Sequence, residues 1–83
     1  NLEGNFMSQI HVETINKTGV LAEVASVIAD SDSNIEEVSV PHPHTDVSSI
    51  MFRLQAQDRT HLARIIRNVR KMPNVNRVSR DSI

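Results

Sequence analysis

The apolar positions of this chain form one pattern that occurs twice. In each half, apolar residues spaced three and four apart are followed by an Asn, an aliphatic residue and a further Val. The first copy is Leu21, Val24, Ala25 and Ile28 with Asn34, Ile35 and Val38, and the second is Leu62, Ile65, Ile66 and Val69 with Asn74, Val75 and Val78. Spacings of three and four place residues on one face of a helix. Each half is therefore predicted to be an amphipathic helix that leads into a strand.

Two other segments alternate between apolar and polar residues, as half-buried strands do. Phe6 to Thr14 precedes the first helix, and about Val47 to Gln57 precedes the second. The chain then reads β-α-β twice, which predicts an α+β fold, a ferredoxin-like βαββαβ sandwich with two helices on one face of a four-stranded antiparallel sheet. The open face of this sheet is expected to be polar, with Gln9, His11, Glu13, Arg53 and Gln55.

Capping and helix-breaking residues set the bounds of the helices. Thr18 is the expected N-cap of the first helix, because its hydroxyl can accept a hydrogen bond from the first turn. Asp58 or Thr60 is expected to cap the second helix, which Pro73 stops. The predicted bounds are about Val20–Asp30 for the first helix, about Lys71 for the end of the second, and about Ile35–Val40 and Val75–Arg80 for the strands that follow. A bend where each of these strands begins is one explanation for the spacing of three between their paired aliphatic residues, Ile35 with Val38 and Val75 with Val78.

Length and composition indicate a single small domain. The chain has 83 residues, and a domain this small gains stability by pairing with a second copy. It has no Cys, so disulfides and thiolate metal sites are excluded, and no apolar run is long enough to span a bilayer. We therefore expect a cytoplasmic protein without membrane contact. Because the first residue is not Met, we expect the chain to be a domain cut from a longer protein. Residues 1–5 are interpreted as linker or a cloning remnant, and residues 6–83 as the domain.

A strong charge asymmetry lies behind the net charge of −1. Residues 1–50 hold eight acids and one base, which gives −7, and residues 51–83 hold eight bases and two acids, which gives +6. One interpretation is that the basic half complements the acidic half and is otherwise solvated. The other is contact with RNA or an acidic protein through the basic residues. This second interpretation rests on Arg64, Arg67, Arg70, Lys71 and Arg77.

The turn between the first strand and the first helix is the best candidate for a binding site. A helix N-terminus presents unpaired N–H groups and a partial positive charge, which suit a carboxylate or a phosphate. Gly19 permits a backbone conformation or a close approach that a side chain would forbid. The amide of Asn16 offers both a donor and an acceptor. An ordinary capped turn without a ligand is the alternative interpretation.

The same turn carries a resemblance to a known family. The stretch INKTGVLAEVASVIAD, followed after a short gap by Asn34-Ile35, is similar to the core signature of ACT domains. The second half resembles the ACT domain at the C-terminal end of RelA/SpoT-type (p)ppGpp synthetase/hydrolases. The matching features there are His61-Leu62, Ile65-Ile66, Met72-Pro73-Asn74-Val75 and Val78-Ser79-Arg80. The resemblance implies a regulatory, non-catalytic domain of a stringent-response enzyme, which senses amino-acid or ribosome/tRNA state and mediates dimerisation.

The resemblance also implies which residues would bind a ligand. In amino-acid-binding ACT domains, an Asn in the turn and the Asn that opens the second strand contact the ligand, often across a dimer interface. The corresponding set here is Asn16, Lys17, Thr18, Gly19, Val20, Leu21, Asn34 and Ile35. The expected partners are a second copy, the other domains of the parent enzyme, a small amino acid, and ribosome or tRNA. Two alternatives stay open: an amino-acid-binding regulatory subunit, such as that of acetolactate synthase, and an RNA- or protein-docking module.

Metal binding and catalysis find little support in the sequence. His42 and His44 lie in a Pro-His-Pro-His turn, and two imidazoles are too few for a metal site, so no metal or other cofactor is expected. His11 and His61 are expected to be exposed or to cap helices. The chain lacks a nucleophile elbow and a phosphate-binding glycine run. It also has no Tyr or Trp and only two Phe residues, so base stacking on the sheet is not expected either.

Overall fold

The computed structural model describes residues 6–15, 18–40 and 47–81. Within these ranges the strands form one antiparallel sheet of order β2-β3-β1-β4, and the two helices pack on one face of it. The predicted ferredoxin-like βαββαβ order is confirmed. The elements are β1 (Phe6–Ile15), α1 (Val20–Asp30), β2 (Asn34–Ser39), β3 (Val47–Ala56), α2 (Arg59–Arg70) and β4 (Val75–Asp81).

The core lies between the inner faces of β1 and β3 and the apolar faces of the helices. Alternate residues of the two strands point inward, and Phe52 is the largest side chain that is completely buried. In α2 the residues predicted from the three-and-four spacing face the core, but in α1 Leu21 is exposed and its neighbour Val20 is buried in its place. The buried apolar residues are Ile10, Val12, Val20, Val24, Ile28, Ile50, Phe52, Leu54, Ala56, Leu62, Ile65, Val69 and Val78.

A β-bulge accounts for the spacing of three between aliphatic residues in β2. Ile35 and Glu37 pair with adjacent residues of β3, so Glu36 is an extra residue on the β2 side. One extra residue reverses the side-chain alternation beyond it. Val38 therefore returns to the helix-facing side of the sheet, where Ile35 also lies.

A β-bulge also occurs in β4, at the equivalent place in the second half of the chain. Val75 and Arg77 pair with adjacent residues of β1, which makes Asn76 the extra residue. Val78 returns to the inner face and is buried there. The repeated spacing in the sequence thus corresponds to a repeated bulge rather than to a bend before the strand.

The prediction that Thr18 caps α1 is wrong. Gly19 occupies the N-cap position with φ 88° and ψ −10°, and its carbonyl accepts the first helical hydrogen bond from Glu23 N at 3.0 Å. A φ of this sign lies in the left-handed region, which Gly enters without steric cost. Thr18 consequently lies one residue too early, and no side chain of the described residues caps this helix.

Asp58 and His61 cap the start of α2. Asp58 Oδ1 accepts a hydrogen bond from His61 N at 2.7 Å, and Gln57 N donates to His61 Nδ1 at 2.9 Å. Since Nδ1 accepts, the proton of the neutral ring is on Nε2, which lies 2.6 Å from the carbonyl oxygen of Ser31 and donates to it. The sequence predicts that His61 is either exposed or caps a helix. The structure shows that it helps to cap α2 and that it is buried.

Ser31 joins the end of α1 to the start of α2. Its hydroxyl donates to Val27 O at 2.8 Å and accepts from Asn68 Nδ2 at 3.0 Å, while its carbonyl accepts from His61. The next residue, Asp32, has a φ of 64° and ends α1 in the left-handed region. Because the end of α1 meets the start of α2, the two helices are antiparallel. The first turn of α1 and the last turn of α2 therefore lie at the same end of the sheet.

Replacing His61 with Ala should lower the free energy of unfolding by roughly 2–4 kcal/mol, because the Ser31 carbonyl and the Gln57 N–H lose their partner inside the protein. Urea denaturation of the purified chain measures this change. Arg59→Ala, an exposed substitution two residues earlier on the same helix, is the matched control and should change stability by less than about 0.5 kcal/mol. An equal, small loss for both variants would contradict the linking role of His61.

Candidate functional site

The start of α1 is the clearest candidate for an anion-binding position. Its first N–H groups point out of the helix, and among the described residues no side chain caps them. A Cβ placed on Gly19 would meet no atom of the described residues within 4 Å. The helix dipole adds a partial positive charge at this end. A carboxylate could therefore take the place that Asp58 takes at the start of α2.

The residues of the predicted turn have different surroundings. Thr18 and Leu21 are exposed, and Leu21 keeps 42% of its surface accessible. Val20 is buried to 3% accessibility and belongs to the core, where a ligand would not touch its side chain directly. Asn16 and Lys17 lie outside the described residues. The accessible part of the predicted site is thus Thr18, Gly19 and Leu21.

Asn34 and Ile35, the other predicted ligand residues, lie at the opposite end of the sheet. Asn34 follows α1 and is exposed, with its Nδ2 donating to the carboxylate of Glu36, and Ile35 packs half-buried against the core. The eleven residues of α1 span about 16 Å at about 1.5 Å per residue. A single amino acid cannot bridge that length. One copy of the chain therefore does not bring the two halves of the predicted site together.

Thr14 is a polar residue of the inner sheet face that the sequence analysis did not single out. It precedes the turn on β1 and is 1% accessible, and its Oγ1 has no hydrogen-bond partner among the described residues. A buried hydroxyl without a partner costs free energy, so such groups merit a functional explanation. The sequence does contain a signal for Thr14, because it is a polar residue at an inward-facing position of β1, after Ile10 and Val12.

The predicted basic residues fall on two faces of the molecule. Arg64, Arg67, Arg70 and Lys71 are exposed on or just after α2. Arg77 lies on the open face of the sheet, because it pairs with Glu13 rather than with an inward residue. Arg64 Nη2 lies 3.9 Å from Asp32 Oδ2, and both side chains are largely exposed. Such a pair contributes little to stability, so it does little to hold Arg64 in place. Arg70 Nη2 donates to Val78 O at 3.5 Å.

Other candidate chemistries gain no support from the geometry. The described ranges contain no group of three or more His, Cys, Asp or Glu side chains able to hold a metal ion. His42 and His44 lie outside those ranges. Neither helix of the described residues is long and apolar enough to cross a bilayer.

Comparison with known proteins identifies relatives over nearly the whole chain. The family model for the ACT domain matches residues 2–80. The bifunctional (p)ppGpp synthase/hydrolase SpoT of Escherichia coli K12 is 40% identical over 76 residues, which cover 92% of this chain and 11% of that protein. The GTP pyrophosphokinase rsh of Brucella abortus is 32% identical over 75 residues, 90% of this chain and 10% of that protein. The chain thus spans about a tenth of the length of these relatives.

Solved structures agree on the fold. The ACT domain of the GTP pyrophosphokinase of Chlorobium tepidum superposes with a TM-score of 0.79 at 20% identity, over 92% of this chain and 97% of that one. The acetolactate synthase small subunit of Thermotoga maritima gives 0.78 at 22% identity, over 90% of this chain and 47% of that one. The turn sequence, the βαββαβ fold and the match over residues 2–80 together lead to one conclusion: the chain belongs to the ACT-domain family and matches the ACT region of RelA/SpoT-type proteins.

Proposed function

We propose that this chain is the regulatory, non-catalytic domain of a cytoplasmic RelA/SpoT-type (p)ppGpp synthetase/hydrolase. In this proposal a small amino acid binds at the start of α1, between two copies of the domain. The relatives in Escherichia coli and Brucella abortus support the assignment to such a parent enzyme. The amino acid as ligand is what membership of the ACT family implies.

The open start of α1 is the observation that carries the proposal. The two helices of this domain begin differently: Asp58 and His61 satisfy the first turn of α2, whereas Gly19 leaves that of α1 without a side-chain partner among the described residues. The α-carboxylate of an amino acid can accept hydrogen bonds from these N–H groups. The exposed side chain of Leu21 offers an apolar contact to the ligand's side chain.

Two copies are needed to complete a site that also includes Asn34. This residue and the α1 turn are separated by the length of α1 within one copy, so an Asn34 contact has to come from a partner. Exposed apolar side chains on α1 and on the edge strand β2, Leu21 at 42% and Val38 at 41% accessibility, are suited to burial against that partner. Binding at such a shared site would favour one arrangement of the two copies over others, and this shift would reach the catalytic domains.

Amide NMR spectra of the isotope-labelled chain, titrated with the twenty amino acids, test this function. We expect saturable shifts at Thr18 to Leu21 and around Asn34 for one or a few amino acids. Gly19→Asp should abolish them, because Asp tolerates a positive φ and its own carboxylate would occupy the start of α1.

Ser26→Asp is the matched control for this titration. It adds the same charge at an exposed position in the middle of α1, away from both halves of the site, and should leave the shifts unchanged. A folded chain whose spectrum responds to none of the amino acids would overturn the sensing role. Equal loss of binding in both variants would instead assign the effect to net charge and contradict the proposed location.

A second candidate function is docking to RNA through α2. The exposed positions of this helix and its C-cap carry five bases and no acid: Arg59, Arg64, Arg67, Arg70 and Lys71. Bases that have no strong acidic partner can neutralise phosphates, and counterion release then makes the binding dependent on salt. The ribosome or tRNA is the partner that the RelA/SpoT resemblance implies.

Charge reversal at two positions of α2 tests the docking function. In ribosome co-sedimentation at several salt concentrations, the double variant Arg64→Glu/Arg67→Glu should bind more weakly, with a salt slope smaller by about two. The double variant Arg77→Glu/Arg80→Glu carries the same change in net charge on β4 and serves as the control. Unchanged binding in the α2 variant, or equal weakening in both, would rule out docking through this helix.

A further inference from the structure

A polar cleft lies on the open face of the sheet, on the side away from the helices. Its volume is about 140 Å³. Three adjacent strands form it, because Glu13 on β1 lies between its partners on β3 and β4. The lining residues are His11, Glu13, Ser49, Arg77 and Ser79. The sheet itself separates this cleft from the helices.

The bulge in β4 gives this part of the sheet its shape. The extra residue, Asn76, immediately precedes Arg77, and the β1–β4 register shifts between Glu13 and Thr14. A bulge bends its strand and increases the local twist, and bulges often lie beside functional sites. The bend thus falls at the row of residues that lines the cleft.

Glu13 and Arg77 carry opposite charges across the cleft without pairing. They are directly opposite in the ladder, where Cβ atoms are about 5 Å apart, yet the described part of the chain shows no ion pair or hydrogen bond at either side chain. The equivalent pair Glu37 and Arg53, on the same face, does close, with Oε1 and Nη1 3.1 Å apart. The Glu13–Arg77 pair therefore leaves room for a ligand between its charges.

We propose that this cleft binds a small polar α-amino acid as a zwitterion. The ligand's carboxylate lies on the guanidinium of Arg77, which offers two parallel donors, and its ammonium group lies on the carboxylate of Glu13. The hydroxyls of Ser49 and Ser79 hydrogen-bond a polar side chain. A simple anion is repelled by Glu13 and a simple cation by Arg77. A cavity of about 150 Å³ holds a molecule the size of benzene, so the volume suits a small amino acid.

Serine and two analogues that each lack one charge test the ligand class. Amide NMR of the isotope-labelled chain should show saturable shifts at Glu13, Arg77 and Ser79 with serine. Ethanolamine lacks the carboxylate and 3-hydroxypropanoate lacks the amine, so each should bind about tenfold more weakly or worse. No saturable shift with serine, or equal binding of either analogue, would overturn the proposal.

Substitutions on the two faces of the sheet test the location. Glu13→Gln and Arg77→Gln should each weaken serine binding about tenfold, because each removes one of the two charges. Arg80→Gln is the control, because it removes the same charge from the same strand at a position that pairs with inward-facing Ile10. Equal weakening by the control would overturn the assignment. Shifts confined to Thr18–Leu21 would also overturn it, while leaving the site at the start of α1 in place.

Discussion

Burial of the inner faces of β1 and β3 under two antiparallel helices is the constraint on which the rest of this structure depends. It fixes the direction of α1 above the sheet, and the hydrogen bonds from His61 and Asn68 to Ser31 hold the end of α1 against α2. Hydrogen bonds therefore hold the end of α1 against α2, while its start, at the opposite end, has no side-chain cap among the described residues. The arrangement that stabilises the core thus also leaves one helix N-terminus available to a ligand.

The same constraint separates the two parts of the candidate site. Asn34 follows α1 directly and has to lie where that helix ends, whereas the turn from Thr18 to Leu21 lies where it begins. No rearrangement of side chains can bring these residues together within one copy, because the helix between them is rigid. If both parts contact one amino acid, dimerisation and ligand binding are the same event. The regulatory role proposed for this domain depends on that coupling.

The sequence predicted the elements well because their signal is local. The three-and-four spacing of the helices and the alternation in β1 and β3 predicted the type and order of these elements, and the bounds predicted for α1, β1 and β3 lie within a residue of those in the structure. The prediction of the N-cap of α1 was wrong, because Gly19 in the left-handed region takes that position one residue after Thr18. The two bulges were not predicted, because the alternation of apolar and polar residues does not reveal them. The hydrogen bond between His61 and Ser31 joins residues thirty positions apart in the sequence. The cleft between Glu13 and Arg77 forms only because of the strand order and of the register shift between β1 and β4. Neither could be predicted without the fold. Within one copy, the turn at the start of α1 forms only half of the candidate ligand site, because Asn34 would have to come from a second copy.

Mixing two inactive variants tests most directly whether the amino-acid site is shared between copies. Gly19→Asp blocks the turn and Asn34→Ala removes the partner's contact, so neither homodimer has an intact site. A mixed dimer has one intact site, which joins the turn of the Asn34→Ala copy to Asn34 of the Gly19→Asp copy. An equal mixture should therefore regain about a quarter of the wild-type sites at this turn, counted by the amide NMR shifts of Thr18 to Leu21 on titration with the amino acid that the wild-type chain binds there. Mixtures that form mixed dimers and still show no shift at this turn would contradict the account.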